Sequence, residues 1–577
     1  MKNRTKKMSG MDWLKAGTVI GTSVFLTATP AQEPMDNLAA LKEQAQRFKA
    51  FAEKLSEPQR KALSGAALNT LTMAENWDKL EPMFKEAHRK RSPMALEALK
   101  AKAPHPRQVS DPNIDALHSM LAGFTQNETS TAWCGDNVVV AFNDSGSIFE
   151  QWAVSPNAGV SMVGYAISDD QGKTFADRGF LPSKPAPKGA DFYSLFGDPV
   201  VQCAGSKTFY IASLGEGLID EGGGSFSFRS EISVSKSTNG GVSFGGPVSA
   251  AVAKELQFLD KPWMAVDPTD PDRIYVTYTN FDFSGDICRR GLRTAIDLVR
   301  SQDGGKTWTK PSVMNQVCGN ALVQGSQVAV GPKGEVYVAW EGFRFNPNTG
   351  TDTRAVHIRR SDNHGRTFAS AIRVSNVNRV GNFGLLQAPF CSASEFPSLG
   401  VDRSQGPTRG NVYIAWHDGR YLTRPDGPFE KTTYGYADIL MSRSTDGGAT
   451  WSEPIRVNQN SEPLASGKGT DQYQPAIAVD PRGRVGICFY DRKRDKNNFL
   501  IDRYCAKSNG GGNTWEKAAR KGQFPPTHGI DFFINPFYMG DYDTLASDFT
   551  QSQSGFIGAY GDNSLGNPDV RRIRWHE

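Results

Sequence analysis

Four short segments of this 577-residue chain set carboxylates beside cations or aromatic rings: Asp260-Lys-Pro-Trp263, Trp416-His-Asp-Gly-Arg420, Tyr490-Asp-Arg492 and Met539-Gly-Asp-Tyr-Asp543. Cleaving a glycosidic bond typically takes two carboxyl groups, one held protonated as acid and one ionised as base or nucleophile. Asp260, Asp418, Asp491 and Asp541, with the phenol of Tyr542 beside them, are the catalytic candidates. Lys261, Trp263, Arg420 and Arg492 are the candidates for holding a substrate, and the two arginines could equally tune the carboxyl pKa values. The competing reading is structural, because carboxylates also cap strand ends, pair with arginines or hold a calcium ion. No CxxC or Cys/His cluster suggests zinc, so no cofactor is expected beyond a structural calcium.

These residues need a scaffold that returns to one place many times, and the chain is built of repeats. An eight-residue pattern occurs six times: SDDQGKTF from Ser168, STNGGVSF from Ser237, SQDGGKTW from Ser301, SDNHGRTF from Ser361, STDGGATW from Ser444 and SNGGGNTW from Ser508. A short acceptor side chain, a glycine able to take positive φ and an aromatic beneath it read as a hairpin turn. A second repeat is a strand pair, clearest as Lys261-Pro-Trp-Met-Ala-Val-Asp-Pro268 followed by Arg273-Ile-Tyr-Val-Thr-Tyr278. Its relatives begin near Thr129, Pro199, Ser326, Pro397, Pro475 and Tyr538, giving seven pairs against six turns. The seventh pair is followed by Asp569–Trp575 and no fourth strand, while Pro106–Ser110 resembles the fourth strands Ile372–Ser375 and Ile455–Asn458. The expected fold is therefore all-β, a seven-bladed propeller whose last sheet takes strands from both ends of the repeat region. Six blades with an extra hairpin is the alternative.

In such a fold the loops from second to third strand, and from fourth strand to the next blade, ring one mouth of the channel. All nine candidates fall on those loops, together with Asp144, Asp198, Asn280, Glu341, Glu395, His417, His528 and Asp562.

The eight-residue pattern resembles the Asp-box, or bacterial neuraminidase repeat, of the sialidase superfamily. That resemblance implies a propeller and a glycan or glycoprotein ligand, and a tyrosine nucleophile in the sialidases themselves. Two features depart from it: most sialidases have six blades, and their first substrate arginine stands in an Arg-Ile-Pro motif. No Arg-Ile-Pro occurs in this chain, and no arginine lies between Ser110 and Ser168, so the arginine triad is carried onto no positions here.

The first 31 residues differ from the rest. Lys2, Arg4, Lys6, Lys7 and Lys15 precede the uncharged stretch 16–31, whose length and Gly/Thr content suit an export signal cut near Ala28 or Ala31 rather than a membrane span. Five of the 65 basic and one of the 61 acidic residues lie there, so the remainder is balanced in charge and offers no electrostatic attraction to nucleic acid. Seven cysteines suit a secreted or periplasmic protein, with Cys134–Cys203, Cys288–Cys318 and Cys488–Cys505 as the expected pairs and Cys391 left over. Residues 32–104 read as a short α-helical region, with Leu38, Leu41, Ala45, Phe48, Ala52 and Leu55 on one stripe. That stripe is a face for docking on its own domain or on a protein partner. The propeller then takes 105–577. Three classes of function fit: a secreted glycoside hydrolase of the sialidase-like kind, a carbohydrate- or protein-binding propeller without turnover, and an envelope assembly factor. The resemblance favours the first.

Overall fold

The computed structural model describes Asp78, residues 108–110 and most of 125–575. The segments 146–160, 184–189, 381–383, 386–389, 392–394, 424–434, 525–538 and 565–568 lie outside it, as do 223–224, 255, 290, 350, 461–462, 465, 497, 499, 517–518, 521, 523 and 552. The export signal read over 1–31 and the helices read over 32–104 therefore fall outside the described residues, Asp78 apart. No helix among the described residues is long and apolar enough to cross a membrane.

Seven antiparallel sheets follow one another along the chain, and the fold is a seven-bladed propeller. The inner strands are Gln126–Cys134, Val200–Ala204, Gln257–Asp267, Ala321–Val330, Ser398–Val401, Gln472–Val479 and Leu545–Ala546. The last blade has only Phe556–Asp562 and Asp569–Trp575 beyond its inner strand. Its outer edge is closed from the other end of the chain, as expected. Gln108 bridges Arg571, the Val109 N–H donates to the Val570 carbonyl at 2.8 Å, and the Val570 N–H donates to Ser110 Oγ at 3.1 Å. The six-blade alternative is excluded.

Second strands such as Val336-Tyr-Val-Ala-Trp-Glu341 are buried at every position, because each blade is pressed between two neighbours and neither face meets water. The apolar core is accordingly divided among the junctions. Trp340 sits between blades three and four, Trp416 between four and five, and Trp133 between seven and one.

The eight-residue turn joins the third strand to the fourth in blades one to six. In blade three, Asp303 accepts from Ser301 Oγ at 2.7 Å and from the Lys306 and Thr307 N–H groups at 3.0 and 2.9 Å, while Gly305 N–H donates to Ser301 Oγ at 2.9 Å. Where Gly510 replaces the acid, only the Gly512-to-Ser508 bond of 3.0 Å remains of this set.

These turns also lace the blades together. The residue before the turn's serine donates to a carbonyl of the next blade's turn: Lys236 to Gly304, Arg300 to His364, Arg360 to Gly447 and Arg443 to Gly511, at 2.7–3.3 Å. Each cation lies opposite a second-strand tyrosine, in the pairs Tyr210–Lys236, Tyr275–Arg300, Tyr337–Arg360 and Tyr413–Arg443. Gly447 has φ +72, and a Cβ there would collide with the Arg360 guanidinium, so glycine serves both the turn and the close approach.

Cys134–Cys203, Cys288–Cys318 and Cys488–Cys505 are disulfides, the three expected pairs. The first ties blade one to blade two, and the last joins residues directly opposite on adjacent strands. The hairpins Thr208–Ser237, Asp270–Ser301 and Val336–Ser361 of blades two to four have strands of 9–15 residues, against 6–8 for the second and third strands of the other blades. They build a taller wall on that side of one mouth.

Candidate functional site

Four of the seven inner strands carry an irregularity at the mouth end. The register slips between Asn127 and Ser130, Asp260 and Trp263, Gln324 and Gln327, and Tyr473 and Ala476. At the extra residue φ is positive: Glu128 (+53), Lys261 (+52), Gly325 (+65) and Gln474 (+53), with Asp198 (+51) in the matching place of blade two. A bulge of this kind re-aims one side chain, here toward the axis. Holding a non-glycine residue in the left-handed region costs about 1–2 kcal/mol, and the surrounding sheet imposes it at four of the seven inner strands.

The re-aimed residues of blades one to three meet a loop of blade seven. Lys261 Nζ lies 3.2 Å from Glu128, 3.3 Å from Asp198 and in direct contact with Asp541. Glu128 also accepts from Asn143 Nδ2 and from the Asp541 N–H, both at 3.0 Å. Asp260, next in the chain, accepts from Gln324 Nε2 at 2.9 Å. Lys261 is 5% exposed and Glu128 fully buried, so one ammonium faces carboxyl groups from three other blades with little water to screen them. Burial, and then the neighbouring Glu128, hold Asp198 well above the usual carboxylate range. Burial pushes Asp260 up to about 6; Lys261 works against this, while Asp541 and Glu128 add to it. Tyr542 completes the group with its hydroxyl donating to the Pro199 carbonyl at 3.0 Å and its ring edge-on to Trp263 at 5.3 Å. Burial and the surrounding carboxylates raise its phenol far above the ordinary value, so it is neutral.

Asp260, Lys261, Trp263, Asp541 and Tyr542 are thus brought together. The other candidates stand elsewhere on the ring. Asp418 takes the Arg420 guanidinium through both oxygens, at 2.9 and 2.7 Å, and accepts from Trp416 Nε1 at 3.0 Å. Asp491 accepts from the Lys493 N–H at 2.7 Å and Gln472 Nε2 at 3.0 Å, yet burial still lifts it to about 6. Arg492 is buried, donates to the Asn498 carbonyl at 3.0 Å and faces the ring of Tyr473. Glu341 and Glu395 share Arg354, and His417 lies beside Glu395, its imidazole held neutral by burial. His528 lies outside the described residues. Among the described residues no group of three or more His, Cys, Asp or Glu is arranged to hold a metal ion.

Two groups were not among the sequence candidates. Glu128 is one; the signal for it was its place before Thr129, aligned with Asp198 before Pro199 and Lys261 before Pro262. The other is Arg503, fully buried, 3.2 Å from Asp543 and stacked over Tyr490 at 4.3 Å. Asp543 also accepts from Thr129 Oγ1 at 2.8 Å, so the Asp541-Tyr-Asp543 segment feeds two neighbouring clusters.

No family model matches the chain. It is 28% identical over 193 residues to a xyloglucanase of a Paenibacillus species, a match that covers 33% of this chain and 15% of that protein's length. Among solved structures, the fold is similar to the Hadza microbial sialidase Hz136, with TM-score 0.38 and 14% identity over 73% of this chain and 74% of that one. It is also similar to a polysaccharide lyase of the ulvan lyase family PL25, with TM-score 0.45 and 9% identity over 79% of this chain and 96% of that one.

Proposed function

We propose that this chain is a secreted carbohydrate-active propeller, a glycoside hydrolase whose reacting carboxyl groups are those gathered around Lys261. One observation carries the reading: a single buried ammonium faces Glu128, Asp198 and Asp541, with Asp260 beside them. Four ionised carboxylates against one cation would leave a large uncompensated charge in a nearly dry site, so some of these groups keep their protons at neutral pH. Asp198, raised most by burial, is the proton donor; Glu128 or Asp541, each in contact with Lys261, is the ionised partner. Groups whose environments push their pKa values apart are what acid and base catalysis in one site requires. Tyr542 positions this set, since its hydroxyl is already given to Pro199.

The same charge balance speaks for a neutral glycan over a sialoside. Lys261, Arg354 and Arg420 each already face a carboxylate, which leaves a carboxylated sugar facing acidic groups. The Paenibacillus relative is the reason to include xyloglucan among the substrates tried. The three disulfides support a secreted or periplasmic location.

The test is a screen of the protein on fluorogenic sialosides, neutral aryl glycosides and xyloglucan, followed by Asp198→Asn, Glu128→Gln and Asp541→Asn on any substrate turned over. Turnover of a neutral glycoside, cut by about 10²–10⁴ in these variants while each keeps the parent's circular dichroism spectrum at the assay temperature, is the expected result. Full activity in all three would remove the Lys261 cluster from the chemistry. A glycan-binding propeller without turnover is the second reading, favoured by the way Asp418 is consumed by Arg420 and Trp416; glycan binding with no hydrolysis in the screen would select it.

A further inference from the structure

Beyond the bulges the channel widens into a cavity of about 450 Å³ walled by residues of all seven blades and reaching the turns from first to second strand, at the mouth opposite the Lys261 cluster. That volume lies within the ~300–1,000 Å³ typical of small-molecule sites. Its walls include Val328, Val330, Val401, Ile477, Val479 and Phe549. Among the described residues three acidic or basic side chains line it, and two of them each face an opposite partner: Asp267 with Arg273 at 2.8 Å and Asp543 with Arg503 at 3.2 Å.

Arg403 is the exception. No described carboxylate pairs with it, and burial alone pushes its guanidinium below its ordinary range, with no acidic neighbour acting the other way. Its guanidinium carbon lies 4.4 Å from the centre of the Phe549 ring. Stacking of that kind engages the face of a guanidinium and leaves its in-plane N–H donors free. The loop that carries it is held on both sides. Asp402 accepts from the Ser404 N–H at 2.7 Å and from Thr408 Oγ1 at 2.6 Å, and Arg409 donates to the carbonyls of Arg403 and Ser404 at 2.9 and 2.7 Å. A fixed cation with no described carboxylate partner, beside a cavity whose mixed walls include the apolar stretch Val401, Val479 and Phe549, gains most from an anion that brings its own apolar body, since ion pairing relieves the desolvation cost and the body covers that stretch.

We propose that this cavity binds an organic carboxylate, its charged end on the Arg403 donors and its apolar part against the Val401, Val479 and Phe549 walls. The site is separate from the Lys261 cluster and does not depend on the catalytic reading. The test titrates the full chain with hexanoate and benzoate, with hexanamide and benzamide as neutral isosteres, and with inorganic phosphate, by calorimetry and saturation-transfer NMR. The expected result is saturable binding of the carboxylates at least about tenfold tighter than of the amides. It is lost in Arg403→Met and weakened in Arg403→Lys, while the circular dichroism spectrum stays that of the parent. Equal binding of the amides, no saturable binding of the carboxylates, or phosphate binding as tightly as benzoate overturns the proposal, as does unchanged binding in Arg403→Met. Should Arg403→Met fail to fold, Arg403→Lys and the carboxylate-to-amide ratio in the parent decide alone.

Discussion

Replacing Lys261 by methionine keeps most of the length of the side chain and removes the cation that, among the described residues, Glu128, Asp198 and Asp541 share. Losing one partner of a buried ion pair costs about 3–5 kcal/mol, because the other charge is left without compensation. The size of the loss follows pH, and its sign can be worked out. A carboxyl whose folded pKa lies above its unfolded value binds more protons folded than unfolded between the two values, so stability falls as pH rises through that interval. For Asp260 the interval runs from 3.8 to about 6. A shift of about two units corresponds to roughly 3 kcal/mol, absent at the acid end and fully present above about pH 6. Asp198 acts in the same direction. The parent should therefore unfold at lower urea near pH 7 than near pH 5. In Lys261→Met these groups lose the ammonium that opposed the rise, so the gap between the two pH values widens. Adding Asp198→Asn to that variant should restore part of the loss at pH 7 and little at pH 5. Urea melts at the two pH values, followed by tryptophan fluorescence, measure it. An equal loss for Lys261→Met at both would show that packing of the side chain, not charge, sets the stability of the cluster.

Asp303→Ala and Trp308→Ala should each lower the melting temperature and leave ligand binding intact, since the turn stands between third and fourth strands, away from the carboxylate mouth; loss of binding at parental stability would contradict this. Arg360→Met removes a 2.7 Å bond to the Gly447 carbonyl and a contact with Tyr337, and should cost about 1–2 kcal/mol in a urea melt. Arg443→Met, at another junction, should cost a similar amount and add to it within about 0.5 kcal/mol. The bond between Cys488 and Cys505 closes a 17-residue separation, so the paired change to alanine should destabilise by about 3 kcal/mol; a melting temperature equal to the parent's would refute that account.

Much of the architecture was legible because it depends on local patterns repeated many times. Six glycine-bearing turns and seven apolar strand pairs pointed to seven blades, and the structure excluded the six-blade alternative by pairing the unmatched strands at the two ends in one sheet. The disulfides were readable for the same reason: once blades are aligned, Cys134 and Cys203 hold matching places, and Cys488 and Cys505 face each other across one hairpin. The cations before the turn serines, Lys236, Arg300, Arg360 and Arg443, show the same register, yet their function depends on a neighbouring blade and does not follow from one repeat alone.

The site divides along the same line. That carboxylates would crowd one mouth followed from the ends of the strands. Which of them share a cation did not, because Glu128, Asp198, Lys261 and Asp541 come from four blades spread over more than 400 residues, and positive φ at the first three turns them inward. Asp418-Gly-Arg420 and Asp260-Lys261 look alike as acid beside base, but the first is a bidentate pair closed within one loop, while the lysine of the second reaches across blades to other carboxylates. Sequence alone determined the residue types and the repeat that returns them to one axis. Only the tertiary structure decided their burial and their partners, and with these their charge, because the energy of an ionised group depends on the atoms and water around it and these come from remote parts of the chain.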